Sequence, residues 1–378
     1  MYNNEVIPIV KIKVIGVGGA GNNAVNRMID AGLQGVEFVA INTDKQMLQV
    51  SKAETSLVIG EKLTKGFGAG ADPEKGQKAA EENRAEIKEM LKGTDLVFIT
   101  AGMGGGTGTG AAPVIAQMAR EMGILTIAVV TKPFDFEGAH RRLNAEIGIS
   151  NLSKFVDTTI IVPNQKLIEH LREPTTFLKA FEIADEVLRT GVQGLTDLII
   201  KPMFINLDFA DIDTVMRNSG IAHMGIGRAR GEGRLLSAIR QAVSSPMLET
   251  SITGASKIIM SIKGGMDLNI HEVSNSGNLI REVVDPGCNI IFGADIDTNF
   301  NEEVQIIIIA TGFPKQSPVK QTAESLTRMQ GSFGVFSKFN PENQEVLEEA
   351  EEPTPEVILP EVDEPPYVTK LREKNKKK

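Results

Sequence analysis

Short apolar runs alternate with amphipathic stretches from Ile9 onward. IVKIKVIGVG, VEFVAINTD, TSLVIG, DLVFITAG, ILTIAVVTKP and TTIIVPN are strand candidates, and their near-continuous β-branched character suits parallel strands buried on both faces. Residues 22–31, 73–92, 110–122 and 138–152 read as the intervening helices. This pattern predicts a doubly wound, mainly parallel α/β domain over 11–175, after a short extension at 1–10. Phe177, Phe181, Ala184, Leu188, Leu195 and Ile199 recur at helical spacing. They predict one long central helix within 176–204, with Gly191 and Gly194 as weak points. SKIIMSIKGG, CNIIFGADID and VQIIIIATG predict further strands, and 231–244 and 270–284 further helices, giving a smaller α+β domain over 205–313. After Phe313 the periodicity stops. Residues 342–364 hold ten acids, no Lys or Arg, and several prolines, so 314–362 is expected to be a disordered acidic linker before a terminal peptide at 363–378.

The 378 residues, 41% hydrophobic and 24% charged, suffice for the cores of two domains. No apolar run reaches the length of about 18 residues of a membrane span, and the first residues lack a signal-peptide plan, so a cytoplasmic protein is expected. Cys288 is the single cysteine, which excludes an internal disulfide and a cysteine metal cluster; no metal-ligand set is predicted. A net charge of −9 argues against broad nucleic-acid binding.

Two glycine-rich turns fall at the carboxyl edge of the predicted sheet, where such sheets bind ligands. GVGGAGNNAV sets Gly16, Gly18 and Gly21 in G-x-G-x-x-G spacing. That spacing fits a dinucleotide turn, and a plain strand-to-helix turn also satisfies it. Asp44 would suit an adenosine ribose, which leaves an NAD-dependent oxidoreductase open. The second turn, GMGGGTGTG, packs six glycines into residues 102–110. A dinucleotide fold has no use for it, whereas two such loops can hold a triphosphate between them. The G-x-x-x-x-G-K-[ST] pattern is missing and 102–110 contains no lysine. Phosphate charge therefore falls to backbone N–H groups, the Thr107 and Thr109 hydroxyls, the following helix N-terminus and Mg²⁺. Pro113 is expected in the first turn of that helix.

Phe181 and Asp185 lie four apart and share a helical face. A ring can stack on a purine, and a carboxylate can accept from the N1–H and 2-amino group of guanine, which adenine lacks. Phe181 fits the apolar core equally well. Asp208 and Asp211 in NLDFAD would point to one side of a helical turn, either as catalytic acids or as a helix cap.

GGGTGTG matches the signature of the tubulin and FtsZ superfamily of GTPases. The likeness runs from about Ile9 to Phe313 through GVGGAGNNAVNRM, INTD, VVTKPFDFEG, VPNQKL, GVQGLTDLI, INLDFAD and SSPMLE, and resembles the FtsZ branch. The resemblance implies a GTP-hydrolysing filament former that builds the division ring, cycling between GTP and GDP. It implies that Gly18, Gly19, Ala20, Gly21, Asn22, Asn23, Gly105, Gly106, Thr107, Gly108, Thr109 and Asn164 surround the nucleotide. Glu137 and Arg141 would contact the ribose and phosphate region, although they also fit an i,i+4 surface pair. Phe181 and Ile200 are roughly 28 Å apart along a helix. With the resemblance, that length places Asp208 and Asp211 over the nucleotide of a head-to-tail neighbour. A tubulin-like paralogue with slow or absent hydrolysis would share the fold. VDEPPYVTKLREKNKKK resembles the short peptide by which the family docks membrane-tethering and regulatory division proteins, with Tyr367 and Leu371-Arg372 at the apolar and basic positions. Its double proline and wider spacing depart from the pattern. The terminal lysines would add only weak membrane attraction, about 1 kcal/mol per charge.

Overall fold

The computed structural model describes residues 10–169, 175–200, 205, 207–245, 252 and 254–314. The tail from 315, including Tyr367, Leu371 and Arg372, lies outside the described residues, as does the extension before residue 10 and part of SSPMLE.

Apolar runs and helices alternate as the pattern requires. The order is β1 (Ile12–Val17), α1 (Gly18–Asp30), β2 (Glu37–Asn42), α2 (Lys45–Gln49), β3 (Thr55–Val58), α3 (Glu61–Thr64), α4 (Pro73–Glu82) and α5 (Arg84–Leu91). There follow β4 (Leu96–Gly102), α6 (Thr107–Glu121), β5 (Leu125–Lys132), α7 (Ala139–Leu152), β6 (Thr158–Pro163), α8 (Asn164–Glu169) and the long α9 (Phe177–Ile200). The chain continues through α10 (Phe209–Met216), β7 (Gly220–Arg230), α11 (Arg234–Val243), β8 (Lys257–Gly264), α12 (Ile270–Val283), β9 (Asn289–Ile296) and β10 (Glu303–Thr311).

The strands form one sheet in the order β3-β2-β1-β4-β5-β6-β7-β10-β8-β9. Neighbours from β3 to β7 are parallel, β10 is antiparallel to β7 and β8, and β9 is parallel to β8. The expected doubly wound sheet and the smaller α+β unit are thus joined edge to edge, through a short β6–β7 pairing from Thr158–Gly220 to Ile160–Ala222. One core, around Phe98, Met28 and Leu188, packs α1 and α9 on one face. A second, around Ile115, Leu91 and Ile149, packs α4 to α7 on the other. A third, around Leu235, Ile258 and Ile308, lies under α11 and α12. The α9 core also takes in Ile307 and Ile309 of β10, so α9 is the element that packs on both parts of the sheet. Among the described residues no helix is long and apolar enough to cross a membrane.

Four differences from the sequence pattern have local causes. The stretch 73–92 is two helices, broken at Asn83, whose Oδ1 accepts a hydrogen bond from the Gly60 N–H at 2.8 Å. Helices α1 and α6 begin at Gly18 and Thr107, several residues early, because the glycine turns themselves wind the first helical turn despite poor propensity. Pro113 consequently lies inside α6 and not in its first turn, and it removes the helical bond to the Thr109 carbonyl, a cost of about 3 kcal/mol. Strand β7 escaped the pattern because its sequence, GIAHMGIGRAR, is glycine-rich. The reason is close packing: a Cβ on Gly225 or Gly227 would lie 2.0 Å from the Ala242 carbonyl oxygen or 1.9 Å from that of Ala238, both in α11.

Candidate functional site

A cavity of about 240 Å³ opens at the carboxyl ends of β1, β4 and β5. Its wall draws Gly18, Gly19 and Ala20 from the start of α1, and Gly105, Gly106, Thr107 and Gly108 from the turn into α6. Glu137, Arg141 and Asn164 come from the segments after β5 and β6, and Phe181 and Asp185 from α9. Residues separated by more than 160 positions therefore meet where the sheet topology puts a ligand.

The two glycine turns touch each other: a Cβ on Gly18, whose φ is +73°, would come within 2.9 Å of the Gly108 nitrogen. The residues before the two helices, Val17 and Gly106, offer no side-chain cap to the first-turn N–H groups. Two uncapped N-termini, each carrying roughly half a positive charge, thus converge on one cavity. Such an end is a ready anion site. The six glycines of the second turn do not all face a ligand. A Cβ on Gly106 would meet Ala69 Cβ at 2.8 Å and the Asp72 nitrogen at 2.8 Å, and one on Gly108 would meet the Gly102 oxygen at 2.9 Å. Gly105 and Gly19 alone in these two walls would meet nothing within 4 Å. Glycine at 106 and 108 is thus demanded by neighbouring backbone, and open space borders Gly105.

Thr107 shares a 2.6 Å hydrogen bond with the buried Thr43 hydroxyl. Thr109 turns away from the cavity, its Oγ1 accepting from the Gly104 N–H at 2.8 Å. Three further expected ligand residues lie outside the wall. Gly21 packs against the Thr100 carbonyl, and Asn23 is exposed on α1. The buried Asn22 donates to the Gly16 carbonyl at 2.8 Å and accepts from Asn42 Nδ2 at 2.7 Å, tying β1 to β2. Asp44 is occupied as the cap of α2, accepting from the Gln46 N–H at 2.8 Å.

At the opposite end, Asp185 is 8% exposed and accepts from Arg27 Nε at 2.9 Å. Burial pushes its carboxyl above the usual aspartate range, and the Arg27 bond and charge pull against that rise. Asn164 is 5% exposed, and its Oδ1 has no hydrogen-bond partner among the described residues. A buried acceptor on a cavity wall without a partner fits a polar ligand. Phe181 belongs to a ring cluster, with centroids 5.1 Å from both Phe134 and Phe177, of which Phe136 and Phe177 are largely exposed. Reading the sequence missed this cluster, and Arg27 as well. PFDFEG carried a signal for Phe134 and Phe136, whereas Arg27 had none beyond a place late in a helix. Glu137 pairs with Arg141 at 2.5 Å and accepts from the Phe134 N–H at 2.9 Å, so the surface-pair geometry and the cavity position hold together.

Asp208 and Asp211 lie outside this cavity wall. Asp208 is the N-cap of α10: its Oδ1 accepts from the Asp211 N–H at 2.8 Å, and Asp211 Oδ2 from the Asp208 N–H at 3.3 Å. The helix-cap alternative is therefore realised, with the Asp208 side of the turn exposed. No group of three or more His, Cys, Asp or Glu capable of holding a metal occurs among the described residues.

The loop packing separates two neighbouring glycines. Gly105→Val should fold with wild-type stability and lose anion binding. Gly106→Val should also lose about 1–3 kcal/mol of stability by overpacking against Asp72. Urea midpoints and phosphate or nucleotide titrations check both, and equal midpoints for the two variants would contradict the assignment.

Comparison with known proteins agrees with this geometry. A model of the Tubulin/FtsZ family, GTPase domain, matches residues 11–172, and one of the FtsZ family, C-terminal domain, matches 220–314. A solved FtsZ dimer, empty, from M. jannaschii is 44% identical, covering 80% of this chain and 88% of that one with a TM-score of 0.77. CetZ1 from Haloferax volcanii, a GDP-bound monomer, shares the fold at 22% identity and a TM-score of 0.72, over 85% of this chain and 100% of that one. CetZ2 from the same organism, in a GTPγS-bound protofilament, is 21% identical with a TM-score of 0.71, over 86% and 99%. Matched by family models across most of its described residues, with a GTPase domain of the tubulin type, this chain belongs to the tubulin/FtsZ family.

Proposed function

We propose that the protein is a GTP-hydrolysing, filament-forming component of cell division whose active site is completed by a head-to-tail neighbour. One observation carries the shared site. Two carboxylates line the cavity, and both are engaged: Asp185 with Arg27, Glu137 with Arg141 and the Phe134 N–H. Neither stands uncommitted beside the glycine turns: Asp185 sits at the opposite end of the cavity, and Glu137 is held by Arg141 and the Phe134 N–H. Asp208 and Asp211 follow the far end of α9, whose 24 residues span about 36 Å. A second copy stacked on the first would bring its Asp208 and Asp211 over the nucleotide, where they can orient and polarise water. The same contact repeated without closure makes a filament. In this reading the uncapped N–H groups of α1 and α6 hold the phosphates and meet the charge that develops on them. Mg²⁺, when bound, would neutralise phosphate charge, held by phosphate oxygens, water and the Thr107 hydroxyl, in keeping with its few protein ligands elsewhere. Phe181 stacks on the purine and Asp185 reads guanine. The peptide at 363–378 docks membrane-tethering and regulatory division proteins and places the filament at the division site.

Two outcomes follow. GTP and GDP should outcompete ATP, and Asp185→Ala should cost about 1.5–3 kcal/mol of guanine preference, as for a hydrogen bond to a charged group. Competition against a fluorescent GDP measures this, and equal wild-type affinity for ATP would end the base assignment. Asp211→Ala should bind GTP like wild type and hydrolyse it about 10²-fold or more slowly. Wild-type turnover per subunit should rise with protein concentration above an assembly threshold; constant specific activity on dilution would mean that the site is complete within one chain.

A further inference from the structure

Helix α1 carries the phosphate-end backbone at Gly18, Gly19 and Ala20 and, nine residues on, Arg27 at the base end, about 14 Å away. Arg27 does not line the cavity. Its Nε reaches Asp185 Oδ2 from behind at 2.9 Å, and its side chain is 39% exposed against 12% for that of Asp185. Asp185 Oδ1 has no protein partner among the described residues, and the Arg27 Nη atoms have no acceptor among them either. The carboxylate is thus pinned through one oxygen and open through the other. We propose that Arg27 is the positioning residue for base recognition, holding the Asp185 carboxylate ionised and turned so that it accepts from the N1–H and 2-amino group of guanine.

The chemistry requires such a partner. A carboxylate this buried tends to take up a proton, and a protonated Asp185 offers the base a donor where guanine also presents donors. Burial raises the Asp185 carboxyl, Arg27 opposes the rise through its hydrogen bond and its charge, and Glu182 one turn earlier on α9 reinforces it. Glu137 and Arg141 share the cavity wall and are paired with each other. Removing Arg27 leaves desolvation unopposed, so protonation begins at higher pH and guanine binding is lost from the acid side earlier. A merely structural tie between α1 and α9 would lower stability and leave the pH profile unchanged. The proposal rests on Asp185 being the base reader.

The test is GDP affinity of the full chain between roughly pH 5 and 8.5, with ADP as the control, for wild type, Arg27→Met, Asp185→Ala and the double variant. Arg27→Met should move the acid limb upward in pH, weakening GDP binding several-fold on the acid side relative to wild type, with the deficit narrowing toward alkaline pH. Asp185→Ala should flatten this limb, and the double variant should bind no more weakly than Asp185→Ala alone, because contacting residues are coupled. Where Arg27→Met does not fold, Arg27→Gln carries the same expectation. An Arg27→Met or Arg27→Gln profile that superimposes on wild type overturns the proposal, as does equal weakening by Arg27→Met with and without Asp185. Retention of the GDP over ADP preference in Asp185→Ala overturns the base reading itself, and this proposal with it.

Discussion

Two helix N-termini, left without side-chain caps and brought together at one edge of a parallel sheet, are the constraint around which the rest is arranged. Each leaves several N–H groups without intrahelical acceptors. Val17 and Gly106 do nothing to satisfy them, and the two turns meet so closely that a Cβ on Gly18 would lie 2.9 Å from the Gly108 nitrogen. An anion is the natural partner for such an arrangement, and it explains why no lysine is needed within 102–110. The surrounding packing serves to hold the two turns in register: Asn22 and Asn42 lock β1 to β2, Thr43 meets Thr107, and the 69–72 loop seats against Gly106.

Much of this was legible in the sequence, for reasons that differ by feature. β-Branched runs revealed nine of the ten strands, because buried strands admit little else; β7 was hidden because α11 presses its backbone directly against Gly225 and Gly227. The glycine cluster at 102–110 pointed to close backbone approach, but attributing that approach to phosphate alone was too narrow, since protein backbone accounts for Gly106 and Gly108. The i,i+4 spacing of Phe181 and Asp185 placed both on one wall. Arg27 was invisible, because its significance depends on α1 packing against α9, and a single helical arginine gives no sign of its tertiary partner.

Helix α9 connects these ends. It presents Phe181 and Asp185 to the cavity near its start, packs through Leu188, Val192 and Leu195 into the core shared with β10, and is followed by the cap formed by Asp208 and Asp211. In the proposed reading, an element of this length separates the base-reading residues from Asp208 and Asp211 within one chain, and a repeating head-to-tail contact would reunite them.

That reunion is the central claim, and subunit mixing tests it most directly. Gly105→Val spoils the cavity and keeps the acids, while Asp211→Ala keeps the cavity and loses an acid. Each alone should turn over little GTP. In an equal mixture that co-sediments as a copolymer, random head-to-tail pairing joins an intact cavity to intact acids at about a quarter of contacts, and turnover should recover to a comparable fraction of wild type. Co-sedimentation without any recovery of turnover would contradict catalysis across the subunit interface.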